Sequence, residues 1–266
     1  MSAVTPDGQQ SESARVKSSE RTLRLLEIVS QAPTGGMAVT ELHKVTGYPR
    51  SSLHQLIRTM GTGNWLEISS DGSRVSVGPR ALVVGTSYLD HDAALPFATE
   101  ALEGLRARIG YTVHYARLHG ADVLYLATRE ATDSQRATSR VGRFLPSHAT
   151  ALGKALLAER TPAERAALFA GRPLAALTDR TITDQALLDV QLETIRAEGV
   201  AHEREENTVG VVCVAAVVRH RIPATDAISC SIPRERATDD ELAHVTAELT
   251  AAASRLSSTF QAQGVR

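Results

Sequence analysis

The stretch Val39-Thr40-Glu41-Leu42-His43-Lys44-Val45-Thr46-Gly47-Tyr48-Pro49-Arg50-Ser51-Ser52-Leu53-His54-Gln55-Leu56-Ile57-Arg58-Thr59-Met60 decides how this chain is read. Its first part spells a short amphipathic helix, with Thr40 as N-cap, Leu42 and Val45 as the apolar face and Gly47 as a left-handed stop. Pro49 opens a second helix, at a position where a missing N–H leaves nothing unbonded. Along it Leu53, Leu56, Ile57 and Met60 recur at the i, i+3, i+4, i+7 spacing of a buried stripe. The opposite face carries Arg50, Ser51, Ser52, His54, Gln55 and Arg58, all donor-bearing and none acidic. After Gly63-Asn64, residues 65–68 and 74–77 flank Ser69-Ser70-Asp71-Gly72, where Asp-Gly marks a hairpin turn. Two short helices and a hairpin make a winged helix-turn-helix, so the polar face and Arg74 of the wing are the expected contacts to double-stranded DNA.

Charge supports this locally. The whole chain balances 29 Lys and Arg against 30 Asp and Glu, which excludes a strongly basic packaging protein. Residues 1–80 are net positive by two and the remainder net negative by three. Between residues 42 and 66 stand Lys44, Arg50 and Arg58 with no acid. A modestly positive head on a mildly acidic body suits a specific regulator.

At 266 residues the chain has room for two cores. The expected plan is a disordered tail over 1–17, a DNA-binding domain over 18–78, a linker helix over 79–92 and a sensor domain over 93–266. The tail has no hydrophobic segment of a leader, and no apolar run reaches the ~20 residues a bilayer requires. Two cysteines, Cys213 and Cys230, are too few for a disulfide scaffold, and a cytoplasmic location follows. Ser18 and Ser19 cap a first helix carrying Leu23, Leu25, Leu26, Ile28 and Val29. Pro96 interrupts a helical run that resumes over 97–109. Two strands, 112–118 and 122–127, follow around His119-Gly120. Helices are expected over 149–158, after the capping box Thr161-Pro162-Ala163-Glu164, over 184–199 and after Thr238. Apolar strands are expected over 211–218 and 226–232. Strands flanked by helices on a non-repeating plan make an α+β sensor with an antiparallel sheet.

Several ordered motifs resemble the IclR (isocitrate-lyase-regulator) family of bacterial transcription factors. They are Thr46-Gly47-Tyr48-Pro49-Arg50-Ser51-Ser52-Leu53-His54, Val77-Gly78-Pro79-Arg80, the run from Leu145 to Ala155, Glu205-Glu206, and Gly210-Val211-Val212-Cys213-Val214-Ala215-Ala216. The resemblance covers nearly the whole chain. It implies a winged helix-turn-helix, a linker helix, a GAF-like effector domain, and dimers or tetramers on a pseudo-palindromic operator. It also implies a response to small organic acids or aromatics, and the expected function is repression of a catabolic operon that senses a small organic acid or related metabolite. By motif, Ala151, Leu152, Glu203, Cys213, Ser229 and Ser231 are the effector-lining positions. The chain departs from the family at Val217, where proline is usual, and at Ile232, where glycine is usual; the second puts a β-branched side chain beside the pocket.

The chemistry agrees with a carboxylate pocket. Residues 147–153 enter a helix with small side chains that let a ligand approach backbone N–H groups, and Ser229 and Ser231 alternate with Cys230 and share one face. His148 either satisfies backbone groups or meets the ligand. Leu152-Gly153-Lys154-Ala155 resembles the end of a phosphate loop but lacks the magnesium-binding hydroxyl, so nucleotide binding is rejected. His202-Glu203-Arg204-Glu205-Glu206 and the pair His114 and His119 lack zinc spacing and are read as solvated charge; no metal and no cofactor is assigned. A cysteine-dependent enzyme using Cys213, His148 and a glutamate is the competing class. Cys213 lies in an apolar strand that keeps a thiol protonated, so the protein is read as no enzyme. A DNA-binding protein without an effector is the third class.

Overall fold

The computed structural model describes residues 16–131 and 141–265. The chain forms two compact units that meet at residues 91 and 92. The first runs α1 (Lys17–Ser30), β1 (Met37–Ala38), α2 (Val39–Thr46), α3 (Arg50–Thr62), β2 (Leu66–Ile68), β3 (Arg74–Val77) and α4 (Pro79–Asp90). Its core joins Leu25 and Val29 of α1, Leu42 of α2, Tyr48, Leu53, Ile57 and Met60, Leu66 and Val75. Helix α1 begins at Lys17, inside the stretch read as tail, and neither Ser18 nor Ser19 caps it. Residues 1–15 of that tail lie outside the described residues.

Two local expectations are corrected. Helix α2 begins at Val39, not after Thr40, because the Val39 N–H is already satisfied by the Ser73 carbonyl of the wing at 2.9 Å. Val45, expected on the apolar face, is 53% exposed, while Tyr48 is buried in the core beside Leu42. Pro49 stands as N-cap one position before α3. Gly47 ends α2 at φ +65°, a conformation costly for any residue with a Cβ. In the wing Leu66 pairs with Val77 and Ile68 with Val75, while β1, too short to show in the sequence, adds a third strand beside β3.

The second unit runs α5 (Leu95–Ile109), β4 (Thr112–His119), β5 (Asp122–Arg129), β6 (Phe144–Pro146), a one-turn helix (Ser147–Ala149) and α6 (Ala151–Ala158). It continues with α7 (Pro162–Phe169), α8 (Gln185–Glu198), β7 (Ala201–Arg204), β8 (Val211–Val218), β9 (Asp226–Pro233) and α9 (Asp239–Ala262). Pro96 sits in the first turn of α5, where it starts the helix instead of interrupting it. The sheet order is β6-β5-β4-β9-β8-β7, antiparallel throughout. Helices α5 and α9 cover one face and α6 the other, with α8 packed against α6. On the α6 face Ala116, Val123, Tyr125, Ala215, Val217 and Ala227 meet Leu152, Ala155, Leu156, Leu188 and Leu192. On the opposite face the Tyr115 ring meets Phe260 of α9 edge-on at 6.4 Å.

Alternation along β9 settles the Ile232 departure. Ser229 and Ser231 point to the α6 face, so Ile232, fully buried and paired with Val212, points to the other. Its side chain therefore does not reshape the pocket wall, contrary to the expectation from sequence. Val217 belongs to the core on the α6 side.

Candidate functional site

The outer face of α3 is assembled by its own periodicity. With Leu53, Ile57 and Met60 turned into the core, Arg50, Ser51, His54, Gln55 and Arg58 are exposed and Ser52 half-buried. None of these six side chains makes a hydrogen bond or ion pair with the described residues, so their donors are free for an external partner. A hollow of about 410 Å³ between α2 and α3 adds Thr40, His43 and Lys44 to this surface. Sequence reasoning counted Lys44 only toward local charge; its place opposite Arg50 depends on the helix crossing.

The wing is stiffened at both ends. Asp71 accepts from Ser69 Oγ at 2.6 Å and from Ser73 Oγ at 2.7 Å and Ser73 N–H at 3.1 Å. The Ser69 bond, then those of Ser73, hold its carboxyl down at about 2. Arg74, expected to face DNA, spends its Nε and Nη2 on the carbonyls of Gly35 and Gly36, tying the wing to the loop after α1. At the wing's base the Arg80 guanidinium lies 5.7 Å from the Trp65 ring centre, a cation–π contact into α4.

In the second unit Ala151, Leu152, Glu203, Cys213 and Ser229 line one cavity together with Tyr125, Thr150, Asn207, Thr208 and Val211. Ser231, the sixth expected residue, lies just beside it: its Oγ is 3.4 Å from Cys213 Sγ and 3.4 Å from His114 Nε2. Strand register produces this grouping, because Cys213 stands opposite both Glu203 on β7 and Ser231 on β9, and His114 on β4 opposite Ser229. His114 is buried, not solvated; its Nδ1 meets Thr128 Oγ1 at 3.0 Å and its ring stacks edge-on against Tyr125 at 5.2 Å. The cavity is tight: only about 10 Å³ of it admits the centre of a water-sized body. That is room for roughly one water, so any larger occupant displaces the walls.

The α6 wall depends on Gly153. A Cβ there would fall 2.2 Å from Ser147 Cα and carbonyl oxygen, so only glycine lets the helix seat on the turn before it. Helix α6 begins at Ala151 and not at Ala149, with Thr150 as N-cap accepting the Gly153 N–H at 3.1 Å. His148 satisfies backbone: its Nε2 donates to the Ala175 carbonyl at 3.0 Å, and burial lowers its basicity.

The acidic run at the end of β7 is the main correction. Read as solvated charge, Glu203, Glu205 and Glu206 are all buried. Lys154, fully buried on α6, ion-pairs with Glu206. Burial lowers the Lys154 ammonium's basicity and the Glu206 carboxylate opposes that shift. The Glu206 and Asn207 N–H groups donate to Glu203 Oε1. Burial raises the Glu203 carboxyl, and those two backbone donors pull the other way. Glu205 takes φ +62° and accepts the Gly210 N–H at 2.9 Å, closing the loop that roofs the cavity. The signal available in the sequence was the fully apolar setting of Lys154 within Ala-Leu-Gly-Lys-Ala-Leu-Leu, which requires a buried counter-charge.

Comparison with known proteins agrees with this geometry. Residues 18–67 match the IclR helix-turn-helix domain, and residues 86–258 match the bacterial transcriptional regulator IclR C-terminal domain. The chain is 31% identical over 243 residues to the HTH-type transcriptional regulator XynR of Escherichia coli, covering 91% of this chain and 96% of XynR. It is 30% identical over 250 residues to the transcriptional repressor IclR of the same species, covering 92% and 90%. Among solved structures, an IclR regulator from Alicyclobacillus acidocaldarius superposes with TM-score 0.78 at 21% identity, covering 92% of this chain and 98% of that one. An IclR homologue from Microbacterium hydrocarbonoxydans, solved with 4-hydroxybenzoate, superposes at 0.75 and 22% identity, covering 92% and 99%. With both domains matched in order, the chain belongs to the IclR family of DNA-binding, effector-responsive bacterial transcriptional regulators.

Proposed function

We propose that this protein represses a catabolic operon by binding a pseudo-palindromic operator as a two-fold dimer and changes its DNA affinity when a small carboxylate occupies the C-terminal cavity. The division of labour is residues 18–78 for reading, 79–92 for linking and 93–266 for sensing. Arg50, Ser51, Ser52, His54, Gln55 and Arg58 read or grip the duplex, with Thr40, His43 and Lys44 beside the backbone. The observation that carries this is the free donor face of α3, whose two arginines, two serines, His54 and Gln55 have no side-chain partner among the described residues. Arg74 contributes only the donors its loop contacts leave over.

Pairing of heads is supported by α4, which buries none of its residues and exposes Leu82, Val83, Val84 and Tyr88. Such an apolar helix face in water calls for a cover, and a second copy supplies one by symmetry. Doubling one winged head also gives the contact area a specific site needs. Effector binding acts through the α4 linker, provided the two arrangements of the heads differ in effector affinity. Among the described residues no helix is long and apolar enough to cross a membrane, and the protein works in the cytoplasm beside its operator. Regulation without catalysis is its activity. Footprinting on DNA selected from a random pool tests the reading: two half-sites about one helical turn apart and a dimeric or tetrameric mass are expected. A single unrepeated half-site with a monomeric mass would overturn it.

A further inference from the structure

The charges around the cavity do not balance for an anionic occupant. Among the described residues no lysine or arginine lines it. The nearest buried cation, Lys154, is already engaged by Glu206. Glu203, 1% exposed, is one of the walls, and its carboxylate is held by neutral donors, the Glu206 and Asn207 N–H groups on Oε1 and the Cys213 thiol. What the cavity offers an incoming group is also neutral. The Ser229 hydroxyl is 3% exposed and has no hydrogen-bond partner among the described residues. The Ala151 and Leu152 N–H groups lie in the first turn of α6, where no helical carbonyl precedes them. These donors can hold a carboxylate, yet they leave its charge facing that of Glu203 inside a small cavity of low dielectric. Two carboxylates in one such site do not both stay ionised.

We propose that a carboxylate effector enters this cavity together with one proton, which Glu203 takes up, so that the occupied site holds two carboxyl groups and one negative charge. The inference rests on the reading of the cavity as the effector site and adds what that site requires of its occupant. The proton comes from solvent and goes to the Glu203 oxygen not used by the backbone N–H groups. That oxygen then donates to the effector, while Ser229 and the start of α6 donate to the effector's remaining oxygens. Other titratable groups are placed so as not to take the proton instead. Lys154 on α6 is already a cation, and Glu206 in the roof loop is neutralised by it. Cys213 on β8 already hydrogen-bonds the Glu203 carboxylate, Tyr125 on β5 packs against the His114 ring, and His114 on β4 is occupied by Thr128 and Ser231. Like-charge exclusion thus becomes a selection rule: monoanions bind with a proton, and dianions are rejected.

Calorimetric titration of the full chain with acetate, glycolate and lactate, from pH 6 to 8 and in two buffers of different ionisation enthalpy, tests this. Those probes that bind should take up close to one proton and lose about tenfold in affinity per pH unit. Glu203→Gln should bind them with an affinity flat in pH. Binding to the unaltered protein with no proton uptake and a flat profile would overturn the inference while leaving the pocket in place. So would a slope that persists in Glu203→Gln. The buffer-dependent heat of the unaltered protein decides even if the variant fails to fold. If none of the three probes binds, the effector reading of the cavity falls, and the inference with it.

Discussion

Replacing Lys154 by methionine removes one half of a pair in which Lys154 is fully buried and Glu206 nearly so. Methionine has similar reach, so the lost volume is small and the effect is electrostatic. Glu206 would then stand in the interior with only backbone donors such as Ile182 N–H at 3.4 Å. An orphaned buried charge of this kind costs about 3–5 kcal/mol. With a urea m-value of about 2 kcal/mol per molar, the sensor unit's midpoint should fall by ~1.5–2.5 M. The chain's single tryptophan, Trp65, lies in the DNA-binding unit. Its fluorescence therefore follows that unit, while far-UV circular dichroism follows both. Lys154→Met should move the dichroism transition and leave the fluorescence transition in place. Lys154→Met with Glu206→Leu should recover most of the loss, because an apolar pair of like volume needs no counter-charge. A single variant costing under about 1 kcal/mol would refute the reasoning, since it would mean that water or another cation reaches Glu206.

Further outcomes follow from the same geometry. Gln55→Ala should change the preferred operator sequence, whereas Arg58→Ala should weaken all sequences alike and flatten the salt dependence by about one counterion, as anisotropy against salt would show. Gly47→Ala should cost about 1 kcal/mol in the Trp65 transition, since alanine at φ +65° is strained; an unchanged midpoint would contradict the left-handed stop. Leu82→Lys with Tyr88→Ser should lower the mass in solution and weaken operator binding; an unaltered oligomer would place the pairing surface elsewhere.

Much of the DNA-binding unit was legible because helical periodicity is local. Leu53, Ile57 and Met60 set the orientation of α3 by themselves, and Asp71-Gly72 fixed the hairpin. What the sequence did not show there depends on contacts distant in sequence: the Ser73 carbonyl that starts α2, and the Gly35 and Gly36 carbonyls that engage Arg74. The cavity was half legible. Ser229 and Ser231 share a face by alternation along one strand, and Ala151 and Leu152 stand at a helix start. His114 and Tyr125 join them only through the pairing of β4 with β9 and β5, which no single segment encodes. The run at the end of β7 misled for a physical reason. Three glutamates in five residues resemble solvated charge unless the partner that neutralises Glu206, 52 residues away on an apolar helix, is taken into account.

The central claim is that an occupant of the Ser229–Glu203 cavity governs operator affinity. Anisotropy of a labelled operator, with and without effector, on Ser229→Leu with Ser231→Leu tests it most directly. The account predicts that the double variant binds operator as tightly as the unaltered protein and no longer responds to the effector, losing a coupling of about 1–3 kcal/mol, or 5–150-fold in affinity. A double variant that still gained or released DNA on effector addition would contradict it.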